Sequence, residues 1–274
     1  MTMNLTLYLV IILILDVNYG IQALRIRRLI GGQPAIESEF PYQVSVRYYN
    51  LHICSGALIS DRHALSAAHC ICGLIDEPSE ELSVHTGSIN LKEGEKHAVK
   101  DVICHPDYVY GSEKSWTADL VVIMLAKEIC ISSSQSPIAL AMHDDVPIGQ
   151  QAIISGWGRV HPFSWLSRDL QKLSVPIIDN NVCQTYYKNT TILNSQICTF
   201  ERKGIGACKV KYIIFYKNIL LEYYSQGDSG SPLVHNCILI GIFSWTKPCA
   251  LGFPDVFTRV SHFMDFIKQV MQDN

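Results

Sequence analysis

The sequence predicts an all-β protein, a barrel or sandwich of short strands finished by one amphipathic helix. Three observations carry this. From Phe40 to about Val260, short apolar runs alternate with turns. Glycine and proline, 17 and 11 of 274 residues, punctuate the chain throughout, which favours short strands over long helices. The tail changes period: Phe263, Phe266, Ile267, Val270 and Met271 fall at helical spacing.

In chain order, the first feature is Leu5 to Leu15, apolar except for Thr6 and closed by Asp16. It is too short to span a bilayer but suits the apolar region of a secretory signal, so residues 1–23 are expected to be removed. The basic stretch Arg25-Ile26-Arg27-Arg28 follows, then Leu29-Ile30-Gly31-Gly32. It reads either as a solvated linker or as an exposed cleavage site after Arg28. Expected strands include Gln43–Tyr48, Gly56–Ile59, Leu120–Leu125, Ala152–Trp157 and Ile238–Trp245, with alternation and β-branched content. The polar, proline-bearing stretch Ser132–Pro147 is the expected link between two halves, and Ser261–Gln272 the terminal helix.

Net charge is −3 with both signs scattered, so no basic stripe points to nucleic acid or an anionic membrane. No second apolar run is long enough for a stop-transfer helix. Ten cysteines in an exported chain read as disulfides. Cys70-Ile71-Cys72 does not have the usual spacing of a zinc pair, so no metal and no cofactor are expected.

Three short segments together could carry nucleophilic catalysis: Ser66-Ala67-Ala68-His69-Cys70, Asp119-Leu120-Val121-Val122 and Gly227-Asp228-Ser229-Gly230-Ser231-Pro232. A serine that attacks a carbonyl needs a base for its proton, a carboxylate to fix that base, and donors for the oxyanion. Singly, each segment has a bland reading: a structural histidine, a strand cap, a glycine turn. Their joint occurrence in the order His, Asp, Ser favours the catalytic one.

From Leu29 to about Asn274 the chain resembles the chymotrypsin-like serine proteases. The resemblance rests on those three segments and on Gly156-Trp157-Gly158, Ser244-Trp245 and Pro254-Asp255-Val256-Phe257-Thr258-Arg259-Val260. Ser66 stands where threonine is more usual, Ser231 where glycine is, and Leu29 where isoleucine is.

The resemblance implies two six-stranded antiparallel β-barrels, residues 29–140 and 141–274, with the active site between them. It implies Ser229 as nucleophile, His69 as base, Asp119 as its orienting group, and the N–H groups of Gly227 and Ser229 as the oxyanion hole. It implies a segment 24–28 cut after Arg28, freeing the Leu29 amine to pair with Asp228. Activity would then be bell-shaped in pH, because His69 must be neutral and that amine protonated. Implied disulfides are Cys54–Cys70, Cys183–Cys198 and Cys208–Cys249. Cys72 and Cys104 both fall near the first barrel's active-site edge and form a conceivable fourth pair; Cys130 and Cys237 have no standard partners.

Gly206 maps to the floor of the primary specificity pocket, and a floor without charge favours apolar or aromatic side chains. Thr246 and Asp255 map to its wall, the first narrowing the entrance for large rings and the second tolerating a basic side chain. Implied partners are protein or peptide substrates, an activating protease and protein protease inhibitors.

One stretch breaks the resemblance. Lys209 to Ser225, seventeen residues, separates Cys208 from Gln226. Twelve of the seventeen are Lys, Asn, Ile, Phe or Tyr, the residues of A/T-rich codons, and deleting the stretch restores Gly-Ala-Cys-Gln-Gly-Asp-Ser-Gly. An in-frame intron carried into the coding sequence is the simplest reading. A genuine surface loop and a real isoform are the others. A translated insertion would favour a noncatalytic homologue that acts by binding.

Overall fold

The computed structural model describes residues 31–73, 80–111, 114–144, 147–159, 165–207, 212–216, 219–223, 228–247 and 250–272. The expected signal 1–23, the segment 24–28 and Leu29 lie outside them.

The first half closes into a barrel of six strands: β2 (Gln43–Tyr48), β3 (Leu51–Leu58), β4 (His63–Ser66), β5 (Leu82–Thr86), β6 (Glu95–Cys104) and β7 (Val121–Leu125). Their order around the barrel is β2-β3-β4-β7-β6-β5, closed by antiparallel pairing of β5 with β2. All five residues of β7 are buried, as a run of Val, Val, Ile, Met and Leu would require of a strand paired on both edges.

The second half repeats the plan with β9 (Gln151–Gly156), β10 (Gln171–Ile178), β11 (Gln196–Thr199), β14 (Pro232–His235), β15 (Ile238–Trp245) and β16 (Asp255–Arg259). These run β10-β11-β16-β15-β14-β9, and pairing of β9 with β10 closes the ring. The fold is therefore the two six-stranded antiparallel barrels expected.

Each half is strapped to the other. The short strand β1 (Gln33–Pro34) pairs with β10, so the first described residues lie on the second barrel before the chain enters the first. The expected link Ser132–Pro147 contains β8 (Ala139–Leu140), which adds in parallel to β15. Helix α1 (Asn180–Tyr186) is capped by Asp179, whose side chain accepts from Asn181 N–H. At the C-terminus a 3₁₀ turn (Ser261–Phe263) leads into α2 (Met264–Gln272). Its buried face of Met264, Ile267 and Val270 packs back into the core of the first barrel.

The stretch that interrupts the resemblance forms a hairpin, β12 (Tyr212–Tyr216) against β13 (Ile219–Tyr223), in a sheet of its own. Among the described residues it pairs with no strand of either barrel.

Candidate active site

His69 sits on the 3₁₀ turn Ala68–Cys70 that follows β4. The disulfide Cys54–Cys70 ties this turn to β3, and Cys72–Cys104 ties the next residues to the end of β6. The conceivable pairing of Cys72 with Cys104 is thus present, as is Cys183–Cys198. Cys208 and Cys249 lie outside the described residues. Cys130 and Cys237 are unbonded and exposed. The one His/Cys cluster among the described residues with ligand atoms close enough to share an ion is Cys54, His69 and Cys70. Its two thiols are consumed by the disulfide.

Asp119 lies just before β7, after a loop in which Ser115, Trp116 and Ala118 all have left-handed backbone (φ 56°, 50° and 47°). Such conformations cost non-glycine residues about 1 kcal/mol or more each. The loop is pinned from the second barrel, where the Gln196 amide donates to Ser115 O at 2.8 Å.

Ser229 occupies the turn before β14. Ser55 N–H donates to Ser229 O at 2.8 Å, and Gly230 N–H donates to Phe243 O at 2.9 Å. Gly230 has φ 77°, and a Cβ there would lie 2.2 Å from Ser55 O, so only glycine fits the turn.

These three elements bring the predicted residues together. Asp119 Oδ1 accepts from His69 backbone N–H at 2.8 Å, and Asp119 Oδ2 lies 2.7 Å from His69 Nδ1. His69 Nε2 lies 2.9 Å from Ser229 Oγ. A carboxylate facing Nδ1 places the ring proton there and leaves Nε2 to accept the serine hydroxyl. Burial alone would raise the Asp119 pKa. The adjacent His69 charge and hydrogen bonds from His69 and Ser244 outweigh it and hold the carboxyl below its ordinary value.

Two contacts of this site were not read from the sequence. Ser244 Oγ donates to Asp119 Oδ2 at 2.5 Å. Ser244 is the residue at which the β15–β16 register slips between Phe243 and Trp245. A bulge re-aims a side chain, and sequence alone does not show where a register slips. The ring of Trp116 meets that of His69 edge-on at 5.6 Å. An aromatic three residues before Asp119 was the available signal for it.

Asp228 is buried, and Gly158 N–H donates to its Oδ1 at 3.1 Å. A Cβ on Gly158 would fall 2.2 Å from that carboxylate. Gly227, Arg28 and Leu29, the other parts of the expected oxyanion hole and activation device, lie outside the described residues.

Beside Gly206, expected as an uncharged floor of the pocket, lies the carboxyl of Asp255, expected on its wall. Asp255 Oδ2 stands 2.8 Å from where a Gly206 Cβ would be, and it accepts from Ala207 N–H at 2.7 Å. A carboxyl group fills the space that the missing side chain leaves. The Thr246 hydroxyl reaches Pro254 O at 3.2 Å and also bonds the Asp255 carboxyl. Burial pushes Asp255 up to about 7, against the pull of the Ala207 and Thr246 hydrogen bonds.

Comparison with known proteins agrees with this architecture. The family model described as "Trypsin" matches residues 29–210 and 216–267, leaving out the start of the hairpin. Chymotrypsin-2 of Vespa crabro is 34% identical over 242 residues, covering 88% of this chain and 99% of the relative. A trypsin of Phaedon cochleariae is 32% identical over 88% of this chain and 87% of its own length. Among solved structures, neuropsin, a serine protease expressed in the limbic system of mouse brain, superposes with a TM-score of 0.73 at 29% identity, covering 88% of this chain and 98% of its own. The chain belongs to the trypsin family of serine proteases. It is a chymotrypsin-like serine endopeptidase whose substrates are proteins.

Proposed function

We propose that the protein is a secreted endopeptidase in which Ser229, His69 and Asp119 form the catalytic triad. The observation that carries this is the unbroken polar sequence Asp119–His69–Ser229, with separations of 2.7 and 2.9 Å, in a buried site. Ser229 Oγ attacks the scissile carbonyl as its proton passes to His69 Nε2. The imidazolium so formed is stabilised by Asp119, and the same proton then goes to the leaving amine. The N–H groups of Gly227 and Ser229 hold the oxyanion, each worth about 3–4 kcal/mol. Water repeats the cycle on the acyl-enzyme.

Secretion is read from the Leu5–Leu15 run and from three disulfides, which persist in oxidising compartments. Activation is cleavage after Arg28 by another protease. The new Leu29 amine then pairs with Asp228, which is buried in the turn that carries Ser229. Cleavage after apolar or aromatic residues rests on Gly206 and the apolar Ala207. Protein protease inhibitors are the expected regulators.

The second reading, a noncatalytic homologue that acts by binding, draws on the β12–β13 hairpin, which among the described residues pairs with no strand of either barrel and interrupts the chain between Cys208 and Gln226. We read residues 209–225 as a retained intron; sequencing the mature transcript across this interval tests that. The catalytic reading is tested by exposing the chain, cut after Arg28, to a fluorophosphonate. Covalent label on Ser229 is the expected result. A folded, cleaved chain that takes no label makes the noncatalytic reading the correct one.

A further inference from the structure

Asn189-Thr190-Thr191 is an acceptor sequence for N-linked glycosylation, and it plays no part in the catalysis. It is the one Asn-x-Ser/Thr sequence outside the expected signal, which contains Asn4-Leu5-Thr6. Asn189 and Thr191 are exposed in the loop between α1 and β11, with Asn189 on a bend at residues 188–190. Neither the Asn189 amide nor the Thr191 hydroxyl forms a hydrogen bond among the described residues.

The bend is held from beneath. The Gln184 amide donates to Tyr187 O at 2.6 Å and to Thr190 O at 3.1 Å, and Gln184 Oε1 accepts from Ile192 N–H at 2.8 Å. The disulfide Cys183–Cys198 ties α1 to β11 across the base of the loop. Tyr187 is buried and Ile192 and Leu193 are half-buried, whereas Lys188, Asn189 and Thr191 face solvent. A group attached to Asn189 Nδ2 therefore projects outward from a fixed base.

Both ends of the loop reach the site. The Tyr187 ring meets that of Trp245 at 4.7 Å, and its hydroxyl donates to Pro254 O. Thr246 and Asp255, the residues expected in the pocket wall, directly follow Trp245 and Pro254. Trp116, edge-on to His69, packs against the same cluster. At the far end of the loop, the Gln196 amide donates to Ser115 O, in the segment that leads to Asp119. Consecutive Cα atoms are about 3.8 Å apart, so that of Asn189 lies within about 7.6 Å of that of Tyr187.

We propose that Asn189 carries an N-linked glycan at the rim of the substrate cleft, where it slows protein substrates and leaves short peptides unaffected. This rests on the secreted endopeptidase reading and deepens it. The oligosaccharide comes from a lipid-diphosphate donor. Asn189 Nδ2 forms a C–N bond to the anomeric carbon as the C–O bond to the diphosphate breaks; lipid diphosphate leaves, and the amide gives up one proton. The attached glycan is bulky and polar. A protein partner covers on the order of 800 Å² of the surface it binds, so a protein substrate extends beyond the cleft onto the rim. A short peptide stays within the cleft.

Two measurements test the proposal. In the first, the full chain is expressed in insect cells, and peptides of the secreted product are treated with peptide N-glycosidase A in oxygen-18 water. Asn189 recovered as labelled aspartate is the expected result. Unmodified Asn189 in the secreted chain overturns the proposal and leaves secretion standing. A chain kept unmodified in the cytosol overturns secretion and the proposal with it.

In the second, the Arg28-cleaved protein is assayed on casein and on a short chromogenic peptide. The ratio of kcat/KM for casein to that for the peptide should rise about threefold or more in Asn189→Gln, with the peptide value unchanged. Thr191→Ala, which keeps the asparagine, should match it, as should protein grown with kifunensine and trimmed by endoglycosidase H. A constant ratio, or a change in Asn189→Gln alone, overturns the role at the rim. Should neither variant fold, the trimmed protein decides alone. Cleavage of neither substrate overturns the endopeptidase reading and the role at the rim, and the label at Asn189 still decides the glycan.

Discussion

Ser244 donates a hydrogen bond to the same oxygen of Asp119 that faces His69 Nδ1. The two contacts come from different barrels, so the carboxylate is oriented by one half of the molecule while it orients the histidine of the other. Removing the serine leaves Asp119 with its two bonds to His69. Ser244→Ala should therefore lower kcat about tenfold to a hundredfold with KM unchanged, the loss of about one hydrogen bond to a charged group. Asp119→Asn should cost about four orders of magnitude in kcat, because the wrong tautomer of His69 would then be held. Steady-state kinetics on the two variants checks both.

Gly158 leaves no room for a side chain beside Asp228, whose carboxylate would be 2.2 Å from any Cβ there. Gly158→Ala should displace Asp228 and with it the turn that carries Ser229. We expect at least a hundredfold loss of fluorophosphonate labelling rate, since small misplacements of reacting groups are this costly. Labelling measured beside a circular dichroism melt separates the local effect from loss of fold.

The disulfide Cys72–Cys104 closes a separation of 32 residues next to the His69 turn. Replacing both cysteines by serine should reduce stability by about 3–4 kcal/mol on the chain-entropy account. Denaturant unfolding of the double variant gives the number directly.

His85 lies buried in the first barrel, and burial, then the nearby charges of Arg47 and Lys96, lowers its pKa to about 4. In the unfolded chain it titrates near 6.5. Because the folded form binds its proton less readily, His85 contributes stability in full above about pH 6.5 and loses it as pH falls toward 4. The melting temperature should drop through this window, and His85→Gln should shrink the drop. Buried His97 and His63 shift in the same direction, so part of the slope should persist.

Much of the fold was legible because periodicity is a local property. Gln43–Tyr48 and Ile238–Trp245 are strands over the residues expected, and the tail is helical from Met264 after a single tighter turn. The strand expected over Gly56–Ile59 begins earlier, at Leu51, where the exposed Leu51 and half-buried His52 hid the pattern. His69, Asp119 and Ser229 were legible through their flanking motifs, and the structure places all three within hydrogen-bonding distance. The carboxyl of Asp255 over Gly206 was not, although both residues had been singled out. Occupation of one residue's empty side-chain position by another is a matter of three-dimensional approach. No spacing in the chain encodes it.

Asp119 also fastens the halves through its backbone: Thr258 Oγ1 on β16 donates to Asp119 O at 2.9 Å. One residue of the first barrel thus takes hydrogen bonds from β15 and β16 of the second as well as from His69. Any loosening between the barrels pulls first on the group that aims the imidazole. Such a molecule falls silent before it falls apart, and on heating, turnover should fade at temperatures where both barrels are still folded.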